Sequence, residues 1–367
     1  MKSDFFTTIV QLFKDTSTGA ELDDRQWESI VFILRQTQLL ATLYQLALSN
    51  NDFQHYPQYA RKHLQAASVY ARRQAQQVRF ECLEISAILK QSNITPVFLK
   101  GAGYTLSGSQ NGKGRVYSDI DVLVPKQQLG TAQQLLQKNG WFAKKLNDYD
   151  ERYYREWAHE IPPMSNVYRG TVIDVHHNII PPISGRAPDS QLFFNEIELN
   201  PQGLAHLSPA AATLHSCIHL FTNEDFSNGF RDLVDLYLLM QQYGQNDYWE
   251  KLVTLAEQTG FTLELFYCLD TLKQIFGLMP DSPFVKKIYK RHQNSFTGLL
   301  SHGLFKPALS PHHPLVFGFK NNLASFLIYI RGHWIKMPVH ILIAHLSVKS
   351  FFISRDFLFG KYQFDKE

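Results

Sequence analysis

The chain reads as an α+β protein: a small mixed β-sheet core flanked by N-terminal and C-terminal helical regions. Apolar residues recur at helical spacing up to about Gln91 and again from Ser208 onward. Between these regions, short apolar alternations are punctuated by Gly, Pro and Asn, the pattern of strands and turns. With 367 residues, 44% of them hydrophobic, the chain can bury a sizeable core. The expected division is 1–91, a helical region; 92–200, the sheet core; and 201–367, a helical region ending in a basic, aromatic tail.

Residues 26–48 place Ile30, Ile33, Leu34, Leu39, Leu40, Leu43 and Leu46 at helical spacing and predict a helix. Residues 63–90, rich in Ala, Gln and Arg, predict a second, long helix with apolar Val69, Val78, Phe80, Leu83, Ile85 and Ile88. Asn93 and Pro96 then punctuate the chain. A strand is expected over 95–99 and a helix opening at 103–107. Residues 119–124 form a strand ended by Pro125, and 129–139 a helix stopped by Gly140. A short strand follows at 141–145, and strands 160–164 and 171–176 pair across the turn Tyr168-Arg169-Gly170. Four helices are expected over 210–221, 230–243, 248–259 and 263–276.

A formal net charge of +3 hides an asymmetry, because no Asp or Glu occurs between Ser282 and Arg355 while lysines and arginines do, among them Lys349. The tail therefore suits an anionic partner. Its Phe317, Phe319, Phe326, Tyr329, Trp334, Phe351 and Phe352 fit helices packed on the bundle first, a peripheral membrane contact second and nucleic acid last. Cys82, Cys217 and Cys268 are widely spaced and odd in number, which predicts reduced thiols and a cytoplasmic, at most membrane-associated, protein. No signal peptide is evident, and no apolar run reaches the roughly 18 residues of a membrane span.

The chemistry is concentrated in two stretches. Phe98-Leu99-Lys100-Gly101-Ala102-Gly103-Tyr104 is an apolar run ending in a glycine-rich turn, whose backbone N–H groups can approach a phosphate closely. Ser118-Asp119-Ile120-Asp121-Val122-Leu123-Val124 alternates aspartates with aliphatics, so Asp119 and Asp121 share one face of a strand. Neighbouring carboxylates repel, and a hard divalent cation such as Mg²⁺, with Mn²⁺ as the alternative, removes that cost. Val172-Ile173-Asp174-Val175-His176 repeats the alternation, and if this strand lies beside the first, Asp174 joins the same face. Three carboxylates holding divalent ions suit transfer of a nucleotide from a nucleoside triphosphate, with Asp174 placed to steer the acceptor's proton.

These stretches resemble the polymerase-β-type nucleotidyltransferase superfamily, whose motif is a glycine turn, a spacer, an Asp-x-Asp strand and a third acidic strand. More narrowly, Leu99-Lys100-Gly101, Arg115-Val116-Tyr117-Ser118-Asp119-Ile120-Asp121-Val122-Leu123-Val124 and Asp174-Val175-His176 are similar to a family of largely uncharacterised bacterial nucleotidyltransferases. The resemblance implies a nucleotidyltransferase core, metal-dependent catalysis by Asp119, Asp121 and Asp174, ATP or another NTP as substrate, and an acceptor that the sequence does not name. A catalytically inactive NTP-binding regulatory or scaffold protein is the alternative. Ala102 stands where the superfamily usually has Gly or Ser, so a serine hydroxyl is missing from the turn.

Lys100 and Arg115 are candidate phosphate partners; the rival for Lys100 is an ion pair with Asp119 or Asp121, and for Arg115 a loop-anchoring ion pair. Ser118 caps the strand entry and, with Gly101, Ala102 and Gly103, counts among the nucleotide-side candidates. His176 shares the presumed face of Asp174 and is a candidate base or acceptor contact, against a structural role. Glu160 is expected to pair with Arg152 or Arg155 rather than close the site. His215 and His219 have i,i+4 spacing but no third zinc ligand in their motif. Asp232 and Asp235 suit a helix start, or an acceptor contact if their helix covers the cleft.

Overall fold

A computed structural model describes residues 2–144, 148–245 and 247–343. Lys145, Lys349, Phe351, Phe352 and Arg355, which enter the expectations above, lie outside the described residues. Helix α1 (Lys2–Lys14) leads to α2 (Asp24–Gln36), which starts with a capping box in which the Asp23 carboxylate accepts from the Gln26 N–H. The single helix expected over 26–48 is two, because α3 runs Leu40–Ser49. The break is a Schellman turn: the Leu39 N–H donates to the Leu34 carbonyl and the Gln38 N–H to the Arg35 carbonyl, with Gln38 at φ +59°. Glycine usually marks that left-handed position, so Gln38 hides the break from a sequence reading.

Helix α4 (Gln58–Lys90) is 33 residues long, about 50 Å. Its buried stripe is Val78, Cys82, Ile85 and Leu89, while Val69, Phe80 and Leu83 are exposed. The chain then enters β1 (Val97–Phe98), α5 (Lys100–Ser107), β2 (Ile120–Leu123), α6 (Leu129–Lys138) and β3 (Trp141–Ala143). A short helix α7 (Asp148–Arg152) precedes β4 (Met164–Asn166) and β5 (Val172–His176). Next come α8 (Gln191–Phe194), β6 (Ile197–Leu199), β7 (Ala205–Leu207) and the helices α9 (Pro209–Thr222), α10 (Gly229–Tyr243), α11 (Asp247–Thr259) and α12 (Thr262–Phe276). The described chain continues through α13 (Pro283–His292), α14 (Ser295–Leu300), α15 (Lys306–Ala308) and α16 (Phe319–Lys336).

The seven strands form one mixed sheet in the order β3-β4-β5-β2-β1-β7-β6. β2 and β5 are parallel, as are β1 and β7, and the other neighbours are antiparallel. The expected 160–164 strand is shorter, with only an isolated bridge from Glu160 to His176 before β4. β7 pairs with β1 although it lies past residue 200, so a boundary there would cut the β6–β7 hairpin.

Strand alternation sorts the two sheet faces. Ile120, Val122, Ile173 and Val175 pack with Val78, Cys82, Ile85 and Leu89 of α4 and Ala132 and Leu136 of α6 in one apolar cluster. The N- and C-terminal helices, apart in sequence, share the other large cluster, with Leu12, Trp27 and Leu43 joined to Leu214, Leu236 and Leu269. Phe6 meets Phe230 edge-on at 5.8 Å across that boundary. Glu81 of α4 is fully buried, and its carboxylate takes two hydrogen bonds from Arg169 (2.6 and 2.8 Å), tying α4 to the β4–β5 turn.

Candidate active site

With the aliphatics of β2 and β5 turned to α4 and α6, the intervening side chains face the C-terminal helices. In the β2–β5 ladder, Ile120 lies opposite Ile173, Asp121 opposite Asp174 and Leu123 opposite His176. Asp121 and Asp174 are therefore direct neighbours on one face. Asp119 precedes β2 by one residue and falls on the same side. The three carboxylates meet in a cleft of about 360 Å³ between the sheet, the start of α5, α9 and α10.

Their electrostatics differ. Burial alone would raise the Asp121 carboxyl, but Lys100 Nζ at 3.1 Å and His176 Nε2 at 3.0 Å hold it well below the usual carboxylate range. Both contacts fall on Oδ1; among the described residues Oδ2 has no hydrogen-bond partner. Asp174 has no cation in ion-pair contact among the described residues, and the charge of His176 offsets its crowding only in part. Burial, then the charges of Asp121, Glu160 and Asp119, push its carboxyl up to about 7, and its buried Oδ1 lacks a partner. Asp119 is raised by burial and then by Asp121.

His176 sits between two carboxylates, its Nδ1 3.3 Å from Glu160 Oε2. Burial opposes its protonation, yet the bond to Asp121 and the charge of Glu160 raise its pKa; the ring hydrogen-bonds Asp121 through Nε2 and faces the Glu160 carboxylate through Nδ1. Glu160 thus belongs to the site; Arg152 and Arg155 pair instead with Glu156 and Glu151, one helical turn away. The signal that could have found it is the Glu160–His176 bridge, which sequence spacing does not reveal. His159, Glu160 and His176 bring ligand-type atoms within 4.8 Å of one another. His159 and His219 also line the cleft; both are held well below the ordinary histidine range, first by burial and then by nearby positive charge. His215 is buried behind them and pushed down to about 3, chiefly by burial.

The turn after β1 is unusual in its backbone. Lys100 opens α5 at φ +43°, a conformation costly for a residue with a Cβ. Gly101 lines the cleft, with room for a Cβ limited by the Tyr117 ring at 3.2 Å. Gly103 serves packing: a Cβ there would lie 2.6 Å from the Phe98 carbonyl oxygen, and its N–H donates to Leu99 O (3.1 Å). Ala102 is buried in the cluster beneath the sheet, so its methyl lies in the core. The backbone donors left at this helix start are therefore those before Gly103.

Arg115 is nearly buried and ion-paired to Asp235, with Asp232 Oδ1 3.7 Å from its other nitrogen. It therefore fastens the spacer loop to α10 and lines the cleft at the same time. Ser118 is exposed at the rim beside Asp119. Sequence reasoning gave no site role to Arg231, which lies in the cleft, contacts Asp232 at 3.4 Å and donates to Gln38 at the α2–α3 break. Nor did it assign Lys336 of α16, which reaches the cleft and pairs with Glu224.

A family model described as an uncharacterised nucleotidyltransferase matches residues 23–277. The chain belongs to that family. The match spans α2 through the end of α12 and includes every strand of the sheet and all three aspartates. Neither the curated proteins nor the solved structures contain a match. Family membership supports the general class, an enzyme that transfers nucleotides and takes an NTP as substrate.

Proposed function

We propose that this nucleotidyltransferase is of the polymerase-β type and moves a nucleoside monophosphate from ATP or another NTP to a hydroxyl acceptor, a small molecule or a protein, releasing pyrophosphate in the cytoplasm. The observation that carries the reading is Asp174: a carboxylate in register with Asp121, crowded by like charge, with a buried oxygen that has no hydrogen-bond partner among the described residues. A divalent ion, Mg²⁺ or Mn²⁺, held by Asp119, Asp121 and Asp174 fits that donor set of hard oxygens. When bound it supplies Lewis-acid polarisation and neutralises charge at the leaving pyrophosphate.

The protein's own groups divide the remaining work. Lys100, Arg115 and Arg231 supply positive charge for the triphosphate, and the N–H groups of Gly101 and Ala102 approach its oxygens. Ser118 and Gly103 shape the approach, Gly103 through packing. Asp174 is placed to take the acceptor's proton. His176, hydrogen-bonded to Asp121 Oδ1 and backed by the Glu160 carboxylate, is suited to hold Asp121 in place. Labelled NTPs, Mg²⁺ and a cell extract test the proposal: label reaches an acceptor with the wild type and does not with Asp119→Ala plus Asp121→Ala. Labelling that survives both substitutions removes these residues from the reaction.

The second reading is an NTP-binding regulatory or scaffold protein without turnover. It draws on the Lys100–Asp121 ion pair, which ties up one oxygen of a proposed metal ligand. Calorimetry that detects Mg-ATP binding, with no pyrophosphate release from any acceptor pool, decides for it.

A further inference from the structure

Helix α16 is amphipathic in the wrong sense for a helix on a protein surface. Its buried residues, Ala324, Ile328 and Gly332, are small or medium and follow one another at i,i+4. Gly332 is pressed against the Glu224 backbone so closely that a Cβ would lie 2.5 Å from Glu224 Cα. The opposite side carries the large side chains. Phe319, Leu323, Phe326, Ile330 and Trp334 are spaced i, i+4, i+7, i+11 and i+15, which at about 100° per residue confines them to one stripe. All are exposed, Phe319 by 82%, Phe326 by 58% and Trp334 by 63%. Nearby α14 exposes Phe296 and Leu299 as well. Scattered apolar residues on a surface are ordinary; an aligned stripe along a helix of about 27 Å is not.

Charge selects the occupant. From Ser282 to Ile343 there is no acidic residue. Lys290, Arg291, Lys306 and Lys320 are exposed and have no carboxylate partner among the described residues. A second copy of the same face would meet this region with like charge. An anionic lipid surface complements it, and Phe and Trp on one side of a basic helix suit the headgroup–acyl boundary. No helix among the described residues is long and apolar enough to cross a membrane, so the contact lies on the surface.

We propose that the exposed stripe of α16 seats this protein on an anionic bilayer. The helix then lies in the interface plane with its small-residue side toward the protein. Lys336 lines the cleft from the same helix, so the cleft stands about one helix diameter, roughly 10 Å, from the lipid surface. The inference rests on the stripe and its charge, and holds whichever acceptor the cleft takes.

The test uses the full chain and vesicles of phosphatidylcholine alone or with roughly one-third phosphatidylglycerol. The wild type is expected to float with the anionic vesicles, to float poorly with the neutral ones, and to be released by salt. Phe326→Asp with Trp334→Asp is expected to lower the bound fraction about tenfold or more. Both positions are exposed, so an unchanged circular dichroism spectrum shows that the variant is folded. Independently of that variant, brominated acyl chains should quench the wild-type tryptophan fluorescence, and Trp334→Phe should remove the quenching. Absence of flotation, flotation unaffected by the double substitution, or quenching that persists without Trp334 would each overturn the proposal. So would light scattering that shows a dimer which the double substitution splits, because a second copy would then cover the stripe.

Discussion

Replacing Asp174 by Asn isolates the like-charge strain of the site. Burial and the charges of Asp121, Glu160 and Asp119 lift the Asp174 carboxyl from 3.8 to about 7. Between those values the unfolded chain has lost the proton and the metal-free native state keeps it. Native stability therefore falls as pH rises through this window, and the full cost is present above about 7. At about 1.4 kcal/mol per pH unit, the ionised carboxylate costs the fold about 4 kcal/mol near pH 8, less whatever rearrangement of its neighbours relieves. Asn keeps the shape without the charge. In EDTA near pH 8, Asp174→Asn should be more stable than wild type by about 2–4 kcal/mol, and near pH 5 by about 1–2 kcal/mol. Urea unfolding followed by circular dichroism at both pH values measures this. Saturating Mg²⁺ should stabilise the wild type, by about 2.7 kcal/mol at a hundredfold excess over Kd, and the variant much less. A variant less stable than wild type in EDTA near pH 8, or equally stabilised by Mg²⁺, refutes the reasoning.

Other consequences are equally concrete. Gly103→Ala forces a Cβ against the Phe98 carbonyl and should destabilise the fold by about 1–3 kcal/mol in urea unfolding. Arg169→Ala strips the buried Glu81 carboxylate of its two-point partner and should cost about 3 kcal/mol, part of which Glu81→Gln in the same chain restores. Lys100→Gly and Lys100→Ala both remove the charge beside Asp121 and should slow nucleotide transfer by about a hundredfold. Unfolding should still separate them: at φ +43° glycine is free of the Cβ clash, so the Gly variant should be stabler than the Ala variant by about 1 kcal/mol.

Much of the site was legible from local pattern. Alternation along 119–124 and 172–176 identifies the carboxylate faces before any strand is placed, because a strand presents every second side chain to one side. Helix breaks were less legible. The α2–α3 turn uses Gln38 in a left-handed conformation, where a sequence reading looks for glycine. Glu160 escaped for a different reason: arginines a few residues upstream offered it obvious partners, yet Arg152 and Arg155 pair with Glu156 and Glu151 instead.

The sequence by itself determined the helical regions at either end, a strand-bearing segment between them, and that Asp119 and Asp121 share a face, since these follow from residue periodicity and turn chemistry along one stretch of chain; it did not reveal β6 and β7. Only the tertiary structure decided that β2 and β5 lie side by side in register, so that Asp174 shares the charge of Asp121. It also gave Asp121 its two cationic neighbours, brought Arg231 and Lys336 into the cleft, and turned the large side chains of α16 outward. Those outcomes depend on contacts between segments tens to hundreds of residues apart, and on which side of a helix finds a partner to pack against. No local pattern encodes either.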